Sequence, residues 1–389
     1  MQEIHLLILP SWYPSRNRPN SGIFFKEQSE SLAQYIKKVS IIYIEHFSIR
    51  RFLEWLPLAF RLNIDKENGV NRFIFYLPQI YRLKYFNIYL DRIVFIFLFK
   101  IYTAKHGIPD LVHVHSFPAG DCAIWIKKKY HIPFLITEHS SSFLTSSYDN
   151  TIIRAAARVF KESAQNFAVS TYFKHKLQDL FHTDFVYMPN FVHRDFLRGF
   201  SQRGIITRLL NVGYLRPLKQ QHLLITAFYE ILKTHPELFL TIVGVGECFA
   251  LLTDMVEKYR ISKKVCLFGE ASRSQMFDIY KSHDLLVQTS AFESFGVSYI
   301  EAMATGMPVV TTNCGGPSSI ITNPELGIVC DNNLKSIIQS IEKALAKKWN
   351  NQLIHDYIAK NFSEQRICED LIDYYNKLLC RTDTQGISL

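Results

Sequence analysis

Two carboxylates eight residues apart, Glu293 and Glu301 in ESFGVSYIEAMATGMPVV (293–310), bracket a glycine and precede an apolar run. Carboxylates on one rim of a cleft accept hydrogen bonds from vicinal hydroxyls, the groups that a ribose and a sugar ring present. The preceding DLLVQTS reads as a strand ending near Ser290, and SYIEAMA as a helix starting close to Gly296. In open α/β sheets ligands lie beyond the carboxyl ends of strands, where helix N-termini turn free N–H groups outward. Gly296 permits close backbone approach, so Phe295, Gly296 and Val297 offer amides to an anion. Glu293 then sits in the loop and Glu301 just over one turn into the helix. The spacing alone fits equally well a glutamate near a helix start beside an ordinary surface charge.

Other polar side chains also fall at strand ends. His113 and His115 alternate along LVHVH, so only one face of that strand points into a cleft. A zinc site needs further ligands at suitable spacing, and none is evident. Glu138 and His139 follow the strand FLIT and are candidates to bind or orient an acceptor. Gly22, in the loop after the first strand, allows close approach of the acceptor or of a donor phosphate. Gly244 and Gly246 mark a tight strand-to-helix turn, with phosphate proximity as the second reading. They lack the third glycine of a dinucleotide fingerprint, so a nicotinamide cofactor is not expected.

The elements that must position these groups alternate regularly. IHLLIL (4–9), VSIIYI (39–44), LVHVH (111–115), FLIT (134–137) and NFAVS (166–170) are short apolar runs that read as buried strands, separated by helical patterns such as KEQSESLAQYIKK. The alternation restarts at RLLNVGYL (208–215) and continues through LFLTIVG, VCLFG, DLLVQTS and PVVTT. Strand–helix–strand repetition implies a parallel sheet with both faces covered. Two doubly wound α/β domains are expected, 1–190 and 191–362, joined near MPNFVHRDFLRG, where Pro189 interrupts the periodicity. The last helical stretch, beginning SEQRICEDLIDYYNKLL in about 363–389, has an apolar face that could pack on either domain, including back on the first.

Composition narrows the class. A chain of 389 residues exceeds one ordinary core, and 48% hydrophobic residues suffice to bury two. The longest apolar run of the first half, IVFIFLF (93–99), is far shorter than the roughly 20 residues of a bilayer span. The start, MQEIHLLILPSWYP, reads as a first strand and not a secretory signal, so a cytoplasmic protein is expected. Seven cysteines without a C-x-x-C pair give no disulfide framework. Residues 1–190 carry 23 Lys+Arg against 15 Asp+Glu, whereas 191–389 carry 21 against 20, which places nearly all of the +9 in the first half. Within it, 47–105 holds ten basic, four acidic and fifteen aromatic residues. That mixture suits amphipathic helices covering a sheet, or a surface meeting anionic headgroups at the inner face of the membrane. With no helix-turn-helix, zinc-finger or RRM signature, no nucleic-acid partner is expected.

The stretch GEASRSQMFDIYKSHDLLVQTSAFESFGVSYIEAMATGMPVVTTNCGGPSSII resembles the E-x7-E region of the retaining glycosyltransferases of family 4 (glycosyl transferases group 1) over more than fifty residues. NVGYLRPLKQQHLLITAF resembles that family's phosphate-binding loop, LTIVGVGE its glycine turn and MPNFVH its Pro-Asn junction. PSWYPSRNRPNSGIFFKEQSESLA and DLVHVHSF resemble family members less specifically. The resemblance implies the GT-B fold, two facing Rossmann-like domains with an interdomain cleft. It implies a nucleotide diphosphate sugar donor, UDP- or GDP-linked, held by the second domain, and a glycan or lipid-linked acceptor held by the first.

Carried onto this chain, the family pattern puts Lys219 at the donor diphosphate, Glu301 at the ribose, Glu293 at the transferred sugar and His115 at the donor cleft. A departing nucleotide diphosphate gains negative charge that a metal or fixed cations and dipoles must neutralise. There is no Asp-x-Asp motif, and Lys219, Arg216 and the helix start at Gly296 are the expected metal-free substitutes, with no cofactor besides the donor. Two departures stand out: Tyr214 replaces an arginine frequent after Gly213, with Arg216 as its candidate replacement, and Ser319 stands where a glutamate is usual. The expected function is a retaining hexosyltransferase of cell-surface polysaccharide or lipopolysaccharide synthesis. The alternatives are a sugar-nucleotide epimerase of the same fold and a non-catalytic sugar-nucleotide-binding protein.

Overall fold

The computed structural model describes residues 1–15, 19–48, 56–79, 84–145 and 148–385. Its apolar runs form two sheets. The first comprises β1 (Gln2–Pro10), β2 (Ile36–Ser48), β3 (Leu62–Glu67), β4 (Val70–Gln79), β5 (Leu111–His115), β6 (Phe134–Glu138), β7 (Gln165–Ala168) and β8 (Val186–Tyr187), in the order β3-β4-β2-β1-β5-β6-β7-β8. The second comprises β9 (Arg208–Val212), β10 (Phe239–Val243), β11 (Val265–Gly269), β12 (Leu285–Gln288), β13 (Val309–Thr312) and β14 (Gly327–Cys330), in the order β11-β10-β9-β12-β13-β14. All pairings of the second sheet are parallel, and in the first only β3 runs antiparallel, to β4. The central strands β5, β6, β12 and β13 are buried along their whole lengths, as parallel strands covered on both faces must be.

Each sheet reverses its strand order beside its first strand, between β1 and β5 and between β9 and β12. Loops diverge to opposite faces there and open a crevice at the strands' carboxyl ends. The expected amphipathic helices of 47–105 are replaced in part by the β3–β4 hairpin. It turns at Asn68 and Gly69, both at positive φ, as a two-residue hairpin turn requires. The basic and aromatic residues at 49–55 and 80–83 lie outside the described residues.

The chain crosses between the domains twice, and the crossings are tied together. Val192 N–H donates to Phe362 C=O at 2.8 Å, and Arg194 N–H to the Glu364 carboxylate at 3.0 Å. After the second crossing the helix Glu364–Gln385 lies on the first sheet, burying Ile367, Leu371, Ile372 and Tyr375 among Ile4, Leu6, Ile41 and Phe167. Tyr375 OH meets His113 Nδ1 at 2.7 Å, and His113 Nε2 meets Thr137 Oγ1 at 2.8 Å. His113 is thus a satisfied core histidine, and the helix locks β5 and β6 behind the cleft.

Candidate active site

The two crevices face each other across a cleft of about 430 Å³. Its second-domain wall is built by three loops in contact. After β12, the chain runs to the helix Val297–Ala304, which Gly296 caps at φ 97°. A Cβ there would lie 2.3 Å from the Tyr299 ring, so both conformation and space call for glycine. Tyr299 N–H in its first turn donates to Gly296 C=O at 3.1 Å, whereas the Val297 and Ser298 amides have no intrahelical acceptor and, with the helix dipole, form an anion-binding end. Glu293 is fixed by its backbone, its N–H donating to Cys314 C=O and its C=O accepting from Gly316 N–H, both at 2.9 Å. The loop after β9 is stapled alongside, because Ala291 N–H donates to Leu218 C=O at 2.8 Å and Thr289 Oγ1 to Gln220 C=O at 3.0 Å. That staple carries Lys219 onto Glu293: its ammonium donates to Glu293 Oε1, which also accepts from Ser290 Oγ at 3.0 Å. Behind them Gly244 comes so close to Gly213 that a Cβ would sit 1.9 Å from the Gly213 carbonyl oxygen. Close passage of the two turns, and not a fingerprint, accounts for that glycine.

Glu301 projects from the helix into a buried network. Arg273 Nη1 donates to its Oε1, and Tyr280 OH to its Oε2 at 2.9 Å. Arg273 also reaches Glu27 of the first domain, Nε to Oε1 at 2.7 Å and Nη2 to Oε2 at 2.9 Å. Burial alone would lower the Arg273 pKa, but the charges of Glu301 and Glu27 outweigh it and raise it. Burial raises the Glu27 carboxyl, partly opposed by Arg273.

From the first domain, Trp12, Gly22, Phe24 and His139 reach the wall. The imidazole of His139 lies against Phe24 and Phe25, with ring centroids 5.2 and 4.8 Å away, and its Nε2 meets His115 Nδ1 at 3.2 Å. His139 Nδ1 and His115 Nε2 have no protein partner. Burial holds the pKa of His139 well below 6.5 and that of His115 at about 3, so both rings are neutral near pH 7.

The structure therefore brings Gly22, His139, Lys219, Gly244, Glu293, Phe295, Gly296, Val297 and Glu301 to one cleft. Three expected site residues stand elsewhere. His115 is wholly buried behind His139 and stacked on Phe25 at 4.6 Å, because its alternation on β5 turns it into the layer under the first helix. Glu138 is also wholly buried, its carboxylate accepting N–H bonds from Phe117 and His139 at 2.9 Å and Ser140 at 2.8 Å. Burial raises its pKa against the opposing effect of those bonds. It shapes the turn that presents His139 and does not line the cleft. Arg216 is exposed and packs on the ring of Tyr214, a cleft-lining residue, 5.1 Å from its centroid, without itself lining the cleft. The second cation at the cleft is Arg273 instead.

Arg273 carried a signal in the sequence. It opens the helix Arg273–Ser282 behind the capping box of Ser272 and Gln275, at the helix end that disfavours a cation. Such a local conflict needs carboxylates brought by other elements. The Oγ of Ser319 accepts from Thr171 N–H at 2.9 Å and joins the domains. Among the described residues, no group of three or more His, Cys, Asp or Glu side chains could hold a metal ion.

Two facing α/β domains with a nucleotide-sized cleft at both switch points define a GT-B glycosyltransferase architecture. The pattern of glycosyl transferases group 1 matches residues 207–362 and that of glycosyltransferase family 4 matches 58–196, and the chain belongs to the family 4 glycosyltransferases. It is 27% identical over 248 residues to a glycogen synthase of Mycobacterium tuberculosis, covering 59% of this chain and 58% of that protein. It is 24% identical over 261 residues to a D-inositol 3-phosphate glycosyltransferase of Corynebacterium urealyticum, covering 59% of this chain and 62% of that one. The chain thus spans about three-fifths of the length of these relatives. Among solved structures, the sucrose-phosphate synthase of Thermosynechococcus elongatus superposes with TM-score 0.77 at 17% identity, covering 97% of this chain and all (100%) of that one. HepE of Anabaena, solved with UDP-glucose, gives TM-score 0.72 at 14% identity over 96% of this chain and 100% of that one. These two likenesses bear on the fold.

Proposed function

We propose that the protein is a retaining glycosyltransferase that moves a hexose-type sugar from a UDP- or GDP-linked donor to a hydroxyl of a glycan or lipid-linked acceptor, without a metal ion. The observation that carries this reading is Lys219 held on Glu293 at the open N-terminus of the helix Val297–Ala304, with Glu301 in the same cleft. The diphosphate takes the ammonium of Lys219 and the first-turn amides, Glu301 accepts from the ribose, and Glu293 accepts from hydroxyls of the sugar. His139, neutral at pH 7, offers a hydrogen-bonding edge from the opposite wall, where its Nδ1 lacks a protein partner.

In the transfer step the bond from the anomeric carbon to the β-phosphate oxygen breaks as the acceptor oxygen bonds to the same face. The acceptor proton passes to the departing phosphate oxygen. Lys219 and the helix end stabilise the charge that develops there. No protein carboxylate is assigned as a nucleophile in this step. The test combines purified protein, UDP- and GDP-sugars and candidate acceptors in EDTA. Acceptor-dependent release of nucleotide with an α-linked product from an α-linked donor is expected. Donor isomerised without acceptor would point to the epimerase reading, and binding without release under any acceptor to a non-catalytic protein.

The acceptor side of this reading includes the inner face of an anionic membrane and a place in cell-surface polysaccharide or lipopolysaccharide synthesis. It is supported by the helix Lys84–His106, where Tyr89, Ile93 and Phe97 recur every fourth residue at 65%, 47% and 54% exposure, beside exposed Arg92 and Lys100. No helix is long and apolar enough to cross a membrane among the described residues. The protein is expected to sediment with phosphatidylglycerol vesicles at low salt, and Ile93→Ser with Phe97→Ser to reduce the bound fraction severalfold. Equal sedimentation of that double variant would remove the helix from the account.

A further inference from the structure

Among the described residues, four sets of side-chain hydrogen bonds join the domains around the cleft. Asn20 Nδ2 donates to Glu270 Oε1 at 3.1 Å and Ala271 C=O at 3.2 Å, Ser294 Oγ donates to His139 C=O at 2.8 Å, and Thr171 meets Ser319 Oγ. The fourth is the Glu27–Arg273 pair, and of these it alone continues to Glu301. Glu27 is 7% exposed and does not line the cleft. The guanidinium lies over the Phe196 ring, 4.4 Å from its centroid, which fixes its plane.

We propose that Arg273 is a positioning residue that orients the Glu301 carboxylate for a nucleotide ribose, and that Glu27 on the opposite domain controls that orientation by dividing the guanidinium. This rests on the reading of Glu301 as the ribose-binding group. Glu27 takes the Nε–Nη2 edge of Arg273 and holds the guanidinium so that Nη1 alone meets Glu301. Glu301 then receives one N–H and the Tyr280 O–H, and each of its oxygens keeps acceptor capacity for a hydroxyl. Withdraw Glu27, and Arg273 and Glu301 are left as a buried pair. Released from Glu27, the guanidinium is free to turn into fork-to-fork pairing, the favoured geometry for such a pair, which fills the second lone pair of Oε2 and leaves Glu301 one acceptor site where two vicinal hydroxyls need two. Bringing the domains together therefore frees Glu301 as well as enclosing the donor.

The test compares equilibrium binding of UDP, GDP or ADP, whichever the protein takes, with the 2′,3′-dideoxy form of that nucleotide. Hydroxyls bonded to a carboxylate make the wild-type preference for the ribonucleotide on the order of tenfold or more. In Glu27→Gln and Arg273→Met the preference is expected to fall to within about threefold, and Arg273→Lys, a point charge without the fork, to keep part of it. A role only in closing the domains weakens both nucleotides together and leaves their ratio intact. An unchanged ratio in Glu27→Gln overturns the proposal, and that variant suffices if Arg273→Met, which strands two buried carboxylates, does not fold. A wild-type protein that binds nucleotide without preference overturns it through the Glu301 assignment. One that binds no nucleotide overturns it through the donor-pocket reading.

Discussion

Lys219→Ala is expected to lower sugar transfer by about 100- to 1,000-fold, the range for removing a preorganised charge partner of a developing anion. The loss has two parts. The diphosphate loses its ammonium, and Glu293, 13% exposed at its side chain, is left with the Ser290 hydroxyl as its remaining side-chain partner. An unneutralised carboxylate then faces the incoming phosphates, so nucleotide affinity falls as well, by roughly tenfold to a hundredfold. Glu293→Gln separates the two roles. It removes negative charge from the diphosphate site, so nucleotide diphosphate binds as well as or better than in wild type. Transfer still drops, because the sugar exchanges a charged acceptor for a weaker neutral one. Nucleotide release and nucleotide binding measured on both variants check this. Parallel losses in the two variants would contradict the division of labour between Lys219 and Glu293.

The second large effect is on stability in mild acid. His113, His115 and His139 are buried and neutral, with pKa values that burial lowers: His113 and His139 well below 6.5, His115 to about 3. Unfolded, each titrates near 6.5, so below that pH the unfolded chain binds protons that the native protein refuses. Stability is then complete above about pH 6.5 and falls as the pH drops, by up to about 1.4 kcal/mol per pH unit per histidine. From pH 7 to 5 all three act in the same direction, so the loss is a sizeable part of the stability of a domain. Glu27 and Glu138 act in the opposite sense above 4.5, because burial raises their carboxyls and their protonation favours the native state there. The steep loss should therefore appear between pH 6.5 and 5. Thermal denaturation followed by circular dichroism is expected to show a flat Tm from pH 7 to 8 and a fall of many degrees by pH 5. A constant Tm through that interval would mean that these histidines are not neutral in the folded protein.

Much of the architecture was legible because parallel strands buried on both faces leave continuous apolar runs. LVHVH matches β5 residue for residue, and VCLFG matches β11, an edge strand whose burial alternates. The β3–β4 hairpin was misread because its aromatic and basic side chains suit a helix surface as well as a strand. The Asn68-Gly69 pair between LNIDKE and VNRFIF was the local signal for it. Short β8 and β14 hold too few residues to show a period.

In the site, Glu293, Gly296 and Glu301 were readable because one strand–loop–helix unit carries all three. His115 and Glu138 were misplaced because a strand's alternation does not reveal which side is the cleft. The choice between His115 and His139 is made by Phe25 packing over β5, a contact between distant segments. Arg216 and Arg273 differ for the same reason. Arg216 lies next to the phosphate-binding loop in sequence, whereas the partners of Arg273 lie 246 and 28 residues away.

The account's central claim is that the cleft binds a nucleotide diphosphate through fixed protein charges. Its most direct test is calorimetric titration of UDP, GDP and ADP into the wild-type protein in EDTA. One nucleotide is expected to bind with one-to-one stoichiometry, with affinity that falls as salt rises and does not change when magnesium is restored. Absence of binding by all three, or binding that appears only with magnesium, would contradict it.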